Sequence, residues 1–349
     1  MSDVNFKSVK LSDFTTMKLG GVSNRFVECK NDDDIKSALC FASENKLPFH
    51  ILGGGSNSVF SDEGYDGVLL YINSKGIEKT GDVFSVKAGE RWDDFVRFAV
   101  ELGYSGVECL SGIPGSVGAT PIQNVGAYGQ EAAGVIVCVK AIETESLKFV
   151  EFNKVDCDFS YRNSRFKSAD RNRYVVTEVV FRLDAAGEAE IKYKELNDYL
   201  GTYEGFNRLE NGKDKLAAVR EAVMVIRRRK GMVYDECDAD SFSCGSFFTN
   251  PVLNEKEFDG FISVCKSLNI EARSFKAGEG FKISAARLIE KAGFEKGFTE
   301  NGIGISSKHT LAIVNRGGTT KGLIDFSEKI RAAVKEKFKI ELVREAVLI

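Results

Sequence analysis

The sequence predicts an α+β protein of two or three domains, and three observations predict it. Near the N-terminus, two strand patterns enclose a helix pattern and run straight into Gly53-Gly54-Gly55. A second, longer glycine-rich segment, residues 112–129, opens a strand-dense region. The last third alternates helical and extended patterns. A chain of 349 residues is long enough for that many domains.

Taken in order, Asn24-Arg25-Phe26-Val27-Glu28-Cys29 alternates as a half-buried strand does. Asn31 and the aspartates after it are helix-capping residues. They predict a helix to about Asn45, with Ile35, Leu39 and Phe41 near helical spacing. Residues 48–52 form a second strand, and its glycines lead back into extended structure at Ser58-Val59-Phe60. In the dinucleotide-binding fingerprint the glycines follow the first strand and open a helix, so this arrangement differs. Residues 83–89 read as a strand and 92–102 as an amphipathic helix, with further strands at 135–142 and 174–183. The polar stretch 187–212 reads as an insertion or linker. A helix is expected at 215–230. Helices at 255–268, 283–292 and 322–338 then alternate with strands at 311–315 and 341–349.

Composition excludes several classes. A formal net charge of −3 provides no global basic field for nucleic acid or an anionic membrane. The N-terminus lacks a signal-peptide pattern, and no apolar run reaches transmembrane length. Eight cysteines are scattered without a C-x-x-C pair, and only two histidines exist, so no metal site is expected. Most cysteines sit in apolar runs and read as small buried hydrophobes, which fits a reducing cytoplasm.

The two glycine-rich segments carry the functional signal. Glycine costs extra backbone entropy and packs nothing, so two such stretches need a purpose beyond connection. Successive N–H groups in such turns form anion-binding concavities, which makes the phosphate or pyrophosphate of a large ligand the expected guest.

Four other places hold candidate chemistry. Arg162, in Asp158-Phe159-Ser160-Tyr161-Arg162-Asn163-Ser164-Arg165, either forks onto a carboxylate or makes a surface ion pair. Ser246 has no triad partner, since His50 and His309 lie in unrelated contexts and the nucleophile-elbow glycines are missing. That leaves a hydroxyl proton donor or a structural serine. Arg227-Arg228-Arg229-Lys230 ends a helix, where basic residues suit the dipole; alternatively Lys230 reaches a phosphate. Glu341 and Glu345 share one face under strand alternation, and pattern alone does not choose between them.

Five motifs occur in the order found in the UDP-N-acetylenolpyruvoylglucosamine reductase (MurB) family, which the chain resembles over nearly its whole length. They are Leu52-Gly53-Gly54-Gly55-Ser56-Asn57, the stretch Ser111 to Gly129, Tyr161-Arg162-Asn163-Ser164, Gly245-Ser246-Phe247-Phe248-Thr249-Asn250-Pro251, and Arg344-Glu345. The resemblance implies an α+β architecture: an FAD-binding fold of two α/β lobes (PCMH/vanillyl-alcohol-oxidase-like) at 1–72 and 73–213. A C-terminal α/β substrate-binding lobe follows at 214–349, its final strand returning to the active site. It implies non-covalent FAD and NADPH as co-substrate. The expected reaction reduces UDP-N-acetylglucosamine enolpyruvate to UDP-N-acetylmuramate, for peptidoglycan synthesis and hence cell wall biogenesis, cell shape and division.

Carried over residue by residue, FAD would be held by Gly53, Gly54, Gly55, Ser56, Asn57, Pro114, Gly115, Ser116, Gly118, Asn124 and Gly126. Arg162 would bind the substrate carboxylate and stabilise its enolic form. Ser246 would deliver the proton, and Glu345 would assist. Tyr161, Tyr193, Lys230 and Asn250 would contact substrate, with Tyr193 on a loop that covers it. The expected form is a cytoplasmic monomer without nucleic-acid or membrane partners. Where the family reads Glu-Val-Arg at its terminal motif, Glu345 is followed here by Ala346 and Val347. Other FAD oxidoreductases of this fold often tether flavin through His or Cys, and neither glycine-rich segment contains a His.

Overall fold

The computed structural model describes residues 4–278 and 280–349. By contacts the chain divides into two units. The first holds the N-terminal residues up to Val9, then Val22–Gly55 and Tyr65–Val233. The second is Lys10–Gly21, Ser56–Gly64 and Tyr234–Ile349.

The first unit begins with a four-stranded sheet ordered Lys7–Lys10, Val22–Cys29, Val68–Ile72, Phe49–Leu52. The last three strands are parallel, with Val68–Ile72 between the other two. Helix α1, Asp32–Glu44, makes the parallel crossover. Its capping box is reciprocal: Asp34 N–H donates to Asn31 Oδ1 at 3.0 Å, and Asn31 N–H to the Asp34 carboxylate at 3.3 Å. Three aspartates in its first turn suit the positive end of the dipole.

The second sheet is antiparallel, ordered Phe149–Asn153, Ile136–Glu143, Tyr174–Arg182, Val83–Lys87, Ile77–Thr80. Helix α2, Trp92–Glu101, packs an apolar face on it: the Phe95 and Phe181 rings stack at 4.9 Å, and Phe84 meets Phe95 edge-on at 5.9 Å. Polar stretch 187–212 is not a linker. It contains α3, Lys194–Gly201, and a 3₁₀ turn, Phe206–Arg208. Leu196, Leu200 and Phe206 are buried with Val219, Val223 and Ile226 of α4, Lys213–Arg229. A few apolar residues at helical spacing outweigh a polar average. Helix α4 packs in the first unit, which runs to Val233.

The second unit has its own core around Phe247, Phe248, Ile305, Leu323 and Ile330. Its helices are α5, Glu255–Ser267, α6, Ala285–Lys291, and α7, Thr320–Phe338. The Asp62 carboxylate accepts the Thr320 and Lys321 N–H groups at 2.7 and 2.9 Å, placing an anion at the α7 N-terminus. The expected strand over 341–349 is mostly irregular: only Val347–Leu348 is a strand, pairing parallel with Ser58–Val59. Glu341 and Glu345 therefore do not share a strand face. Glu341 is exposed and pairs with Arg331 at 3.0 Å.

In the antiparallel sheet Glu178, 8 % exposed, bridges Lys87 at 2.6 Å and Lys140 at 2.7 Å. Burial alone raises its pKa, but the hydrogen bonds and charges of the two lysines outweigh burial and lower it. A depressed carboxylate pKa stabilises the fold above the unfolded-state value, and that contribution is lost as pH falls through the folded-state value. We expect Glu178→Gln to cost about 1–3 kcal/mol at neutral pH. Urea unfolding checks this, and the deficit against wild type should shrink on acidification.

Candidate active site

The two glycine-rich segments meet inside the first unit. A Cβ built on Gly54 would lie 2.6 Å from the Gly115 Cα, and one on Gly53 would lie 2.4 Å from Ser116 Oγ. A Cβ on Gly118 would lie 2.6 Å from that of Ala88. Backbone therefore packs on backbone at Gly54, while Gly53 and Gly118 lie against the Ser116 hydroxyl and the Ala88 methyl. The second segment is tied to the turn before α2: Val117 N–H donates to Glu90 O at 2.8 Å, Gly118 N–H to Ala88 O at 2.8 Å, and Trp92 N–H to Gly115 O at 3.1 Å. A crossing lined by backbone and small side chains fits the close approach of a dinucleotide's pyrophosphate.

Asn124 plays a different part from Gly115 or Gly118. It is left-handed (φ 47°) and 1 % exposed. Its amide donates to Glu131 at 2.8 Å and to Ser160 O at 3.2 Å, while its oxygen accepts Ala133 N–H at 3.0 Å. The Asn124 side chain thus shapes the loop, leaving its backbone for any ligand. Arg162, also left-handed (φ 54°), donates to Gly126 O at 2.7 Å and lies 5.4 Å from the Tyr161 ring centroid. A non-glycine residue at positive φ stores strain that surrounding contacts must hold.

Tyr193 precedes α3, is 46 % exposed, and meets Tyr128 edge-on at 5.4 Å. Burial pushes the Tyr128 hydroxyl up to about 12. Lys230 lies 5.7 Å from the Tyr128 ring and pairs with Glu195 at 2.5 Å. Tyr128, Tyr193 and Lys230 are thus one group, although the sequence separates them widely.

In the second unit the backbone arranges the remaining candidates. Gly245 is left-handed (φ 69°) and presents the half-buried Ser246 beside buried Phe247. Glu345 N–H donates to Phe247 O at 2.9 Å, and Asn57 Nδ2 donates to Glu345 O at 3.0 Å. Asn57, Ser246 and Glu345 are thereby linked through adjoining backbone. The Asn250 side-chain oxygen accepts the Ala285 N–H at 2.9 Å at the start of α6. Burial, and secondarily the Glu345 charge, raises the Cys244 thiol to about 12, which keeps it protonated.

Comparison with known proteins finds two family matches along the chain. Residues 23–143 match the FAD binding domain family, and residues 237–349 match the C-terminal domain of UDP-N-acetylenolpyruvoylglucosamine reductase. The reductase of that name from Streptomyces coelicolor is 45 % identical over 97 % of this chain and 88 % of its own length. Its counterpart from Thermobifida fusca is 43 % identical over 98 % and 97 %. The chain belongs to the UDP-N-acetylenolpyruvoylglucosamine reductase family. The crystal structure of the reductase from Thermus caldophilus superposes with a TM-score of 0.68 over 99 % of this chain and 98 % of that one, at 22 % identity, which shows the shared fold.

Sequence reasoning singled out neither the Asp93–Arg220 pair nor Glu195. Asp93 receives Arg220 at 2.6 and 2.8 Å and the Gly112 N–H at 2.6 Å, so it anchors the head of the second glycine-rich segment to α4. The signal was faint, since the two residues stand far apart in the chain. Gly54→Ala is expected to force Gly115 away and to yield protein that loses FAD during purification. The ratio of visible to ultraviolet absorbance measures it, and full occupancy would remove Gly54 from the cradle.

Proposed function

We propose that this chain is a soluble FAD-dependent reductase that uses NADPH to convert UDP-N-acetylglucosamine enolpyruvate into UDP-N-acetylmuramate, a peptidoglycan precursor. The observation that carries this reading is family membership across nearly the full length, with the FAD binding domain match covering both glycine-rich segments. When bound, FAD supplies the hydride chemistry between NADPH and the enolpyruvyl alkene. Gly53, Gly54, Gly55, Ser56 and Asn57 would hold it with Pro114, Gly115, Ser116, Gly118, Asn124 and Gly126. The backbone-on-backbone approach of Gly54 to Gly115 supports that assignment.

The protein's part is charge and proton placement. We assign Arg162 to the substrate carboxylate, where a fixed cation stabilises the charge that spreads from the neighbouring carbon. Its guanidinium is already oriented by Gly126 O and Tyr161. Ser246 Oγ–H would protonate that carbon, which is basic once the enolic form has developed. Glu345, fixed through its backbone to Phe247 and Asn57, would assist at the same centre. Tyr161 and Tyr193 would cover substrate, and Lys230 and Asn250 would hold its nucleotide end. Since Lys230 already pairs with Glu195, binding a phosphate there exchanges one anion for another.

No helix among the described residues is long and apolar enough to cross a membrane. We propose a cytoplasmic monomer. Buried thiols at Cys29, Cys109, Cys138, Cys157, Cys244 and Cys265 suit a reducing compartment.

Two variants test the assignment. Ser246→Ala should fold, retain FAD and be reduced by NADPH normally, while the substrate half-reaction slows roughly 10²–10⁴-fold. Ser246→Cys should retain more activity than the alanine variant. Stopped-flow absorbance follows both half-reactions, and wild-type reoxidation in Ser246→Ala would exclude Ser246 as donor. Tyr193→Phe should weaken sugar-nucleotide binding and leave reduction by NADPH nearly intact. Equal loss of both half-reactions would make Tyr193 structural.

A further inference from the structure

The C-terminal end of α4 carries a charge that its surroundings do not neutralise. Arg227 is only 9 % exposed. One of its terminal nitrogens, Nη2, donates to Met232 O at 2.6 Å. Its Nε is enclosed and has no hydrogen-bond partner. Gly112 lies against that nitrogen, since a Cβ there would sit 3.4 Å away. Burial pulls the guanidinium pKa down, with Tyr128 and Asp93 opposing and Arg162 adding to the fall. An arginine nonetheless stays charged at neutral pH.

The nearby carboxylates are taken. Asp93, whose charge acts on Arg227, is already bound by both arms of Arg220 and by the Gly112 N–H. Glu195 is paired with Lys230. A buried charge without a counter-ion is strongly unfavourable unless something supplies one. Arg162, Arg227 and Lys230 also converge on one short stretch. Arg162 bonds Gly126 O, Lys230 faces the Tyr128 ring, and the Arg227 charge acts on the Tyr128 hydroxyl.

We infer that Arg227 is a substrate-binding residue whose counter-ion is an anionic oxygen, carboxylate or phosphate, of the bound sugar nucleotide. This rests on the substrate class proposed above. With Nη2 held by Met232 O and Nε buried, Nη1 is the donor that receives it. The protein carries the cation unpaired, and the ligand completes the pair.

Arg227→Met removes the charge at similar length. Calorimetric titration of the FAD-loaded variant with UDP-N-acetylmuramate should show affinity roughly 10- to 100-fold below wild type. Arg227→Lys should recover part of it. FAD content should be unchanged, and the thermal midpoint of the ligand-free protein should hold or rise. Loss of FAD with unchanged product affinity in the reloaded variant would give the oxygen to FAD and overturn the assignment. A lowered thermal midpoint with both affinities at wild-type level would also overturn it, making Arg227 a cap for Met232. If Arg227→Met does not fold, Arg227→Gln keeps an N–H for Met232 O and carries the same comparison. Wild-type protein that fails to bind UDP-N-acetylmuramate would strike down the substrate reading itself. Wild-type binding with an unaltered variant would strike down this inference alone.

Discussion

Two main chains touch with no side chain between them where Gly54 lies on Gly115, and the first unit is organised around that approach. The distance that a Cβ would have to share, 2.6 Å to the Gly115 Cα, is far inside van der Waals contact. Gly53 against Ser116 and Gly118 against Ala88 repeat the constraint on either side. At Gly54 no rotamer can relieve the contact, because its three nearest atoms are all Gly115 backbone. Gly115 O also receives the Trp92 N–H, so displacing this crossing displaces the start of α2 and the aromatic core beneath it.

The rest of the second glycine-rich segment is held by polar side chains instead of by packing. Gly112, Asn124 and Tyr128 all adopt positive φ, at 71°, 47° and 49°. Each departure is held by neighbours: Asp93 grips the Gly112 N–H, Asn124 satisfies three partners, and Tyr128 is wedged against Tyr193. Strain of this kind persists only where its surroundings over-determine it. Through the Asp93–Arg220 pair, α4 is fastened to the segment, and the same helix ends at Arg227 and Lys230. One helix thus fixes the loop with one arginine and presents its last turn to the same loop.

The second unit uses main-chain bonding for an equivalent purpose. Glu345 is held on its N–H by Phe247 and on its carbonyl by Asn57, while Arg344 bridges to Phe248. The strand pair of Val347–Leu348 with Ser58–Val59 continues the arrangement. Glu345 is thus placed by its backbone, on both its N–H and its carbonyl.

Much of this was legible in the sequence. The capped helix α1, the helix α2, the long antiparallel strands and both glycine-rich segments follow from local periodicity and turn chemistry, which act over a few residues. The motifs around Arg162, Ser246 and Glu345 identified the family because their order along the chain is itself a sequence property. Local pattern failed where tertiary partners decide. Val68–Ile72 is an unbroken apolar run without alternation, yet it is an inner strand of its sheet, paired on both edges. Residues 187–212 are polar on average, but Leu196, Leu200 and Phe206 find α4. Strand alternation placed Glu341 and Glu345 on one face, whereas long-range pairing leaves only Val347–Leu348 extended and sends Glu341 to Arg331. Whether a charge is paired is also a tertiary fact. Arg227 and Lys230 stand in one basic run, and only the folded chain gives Lys230 a glutamate and leaves Arg227 buried without one.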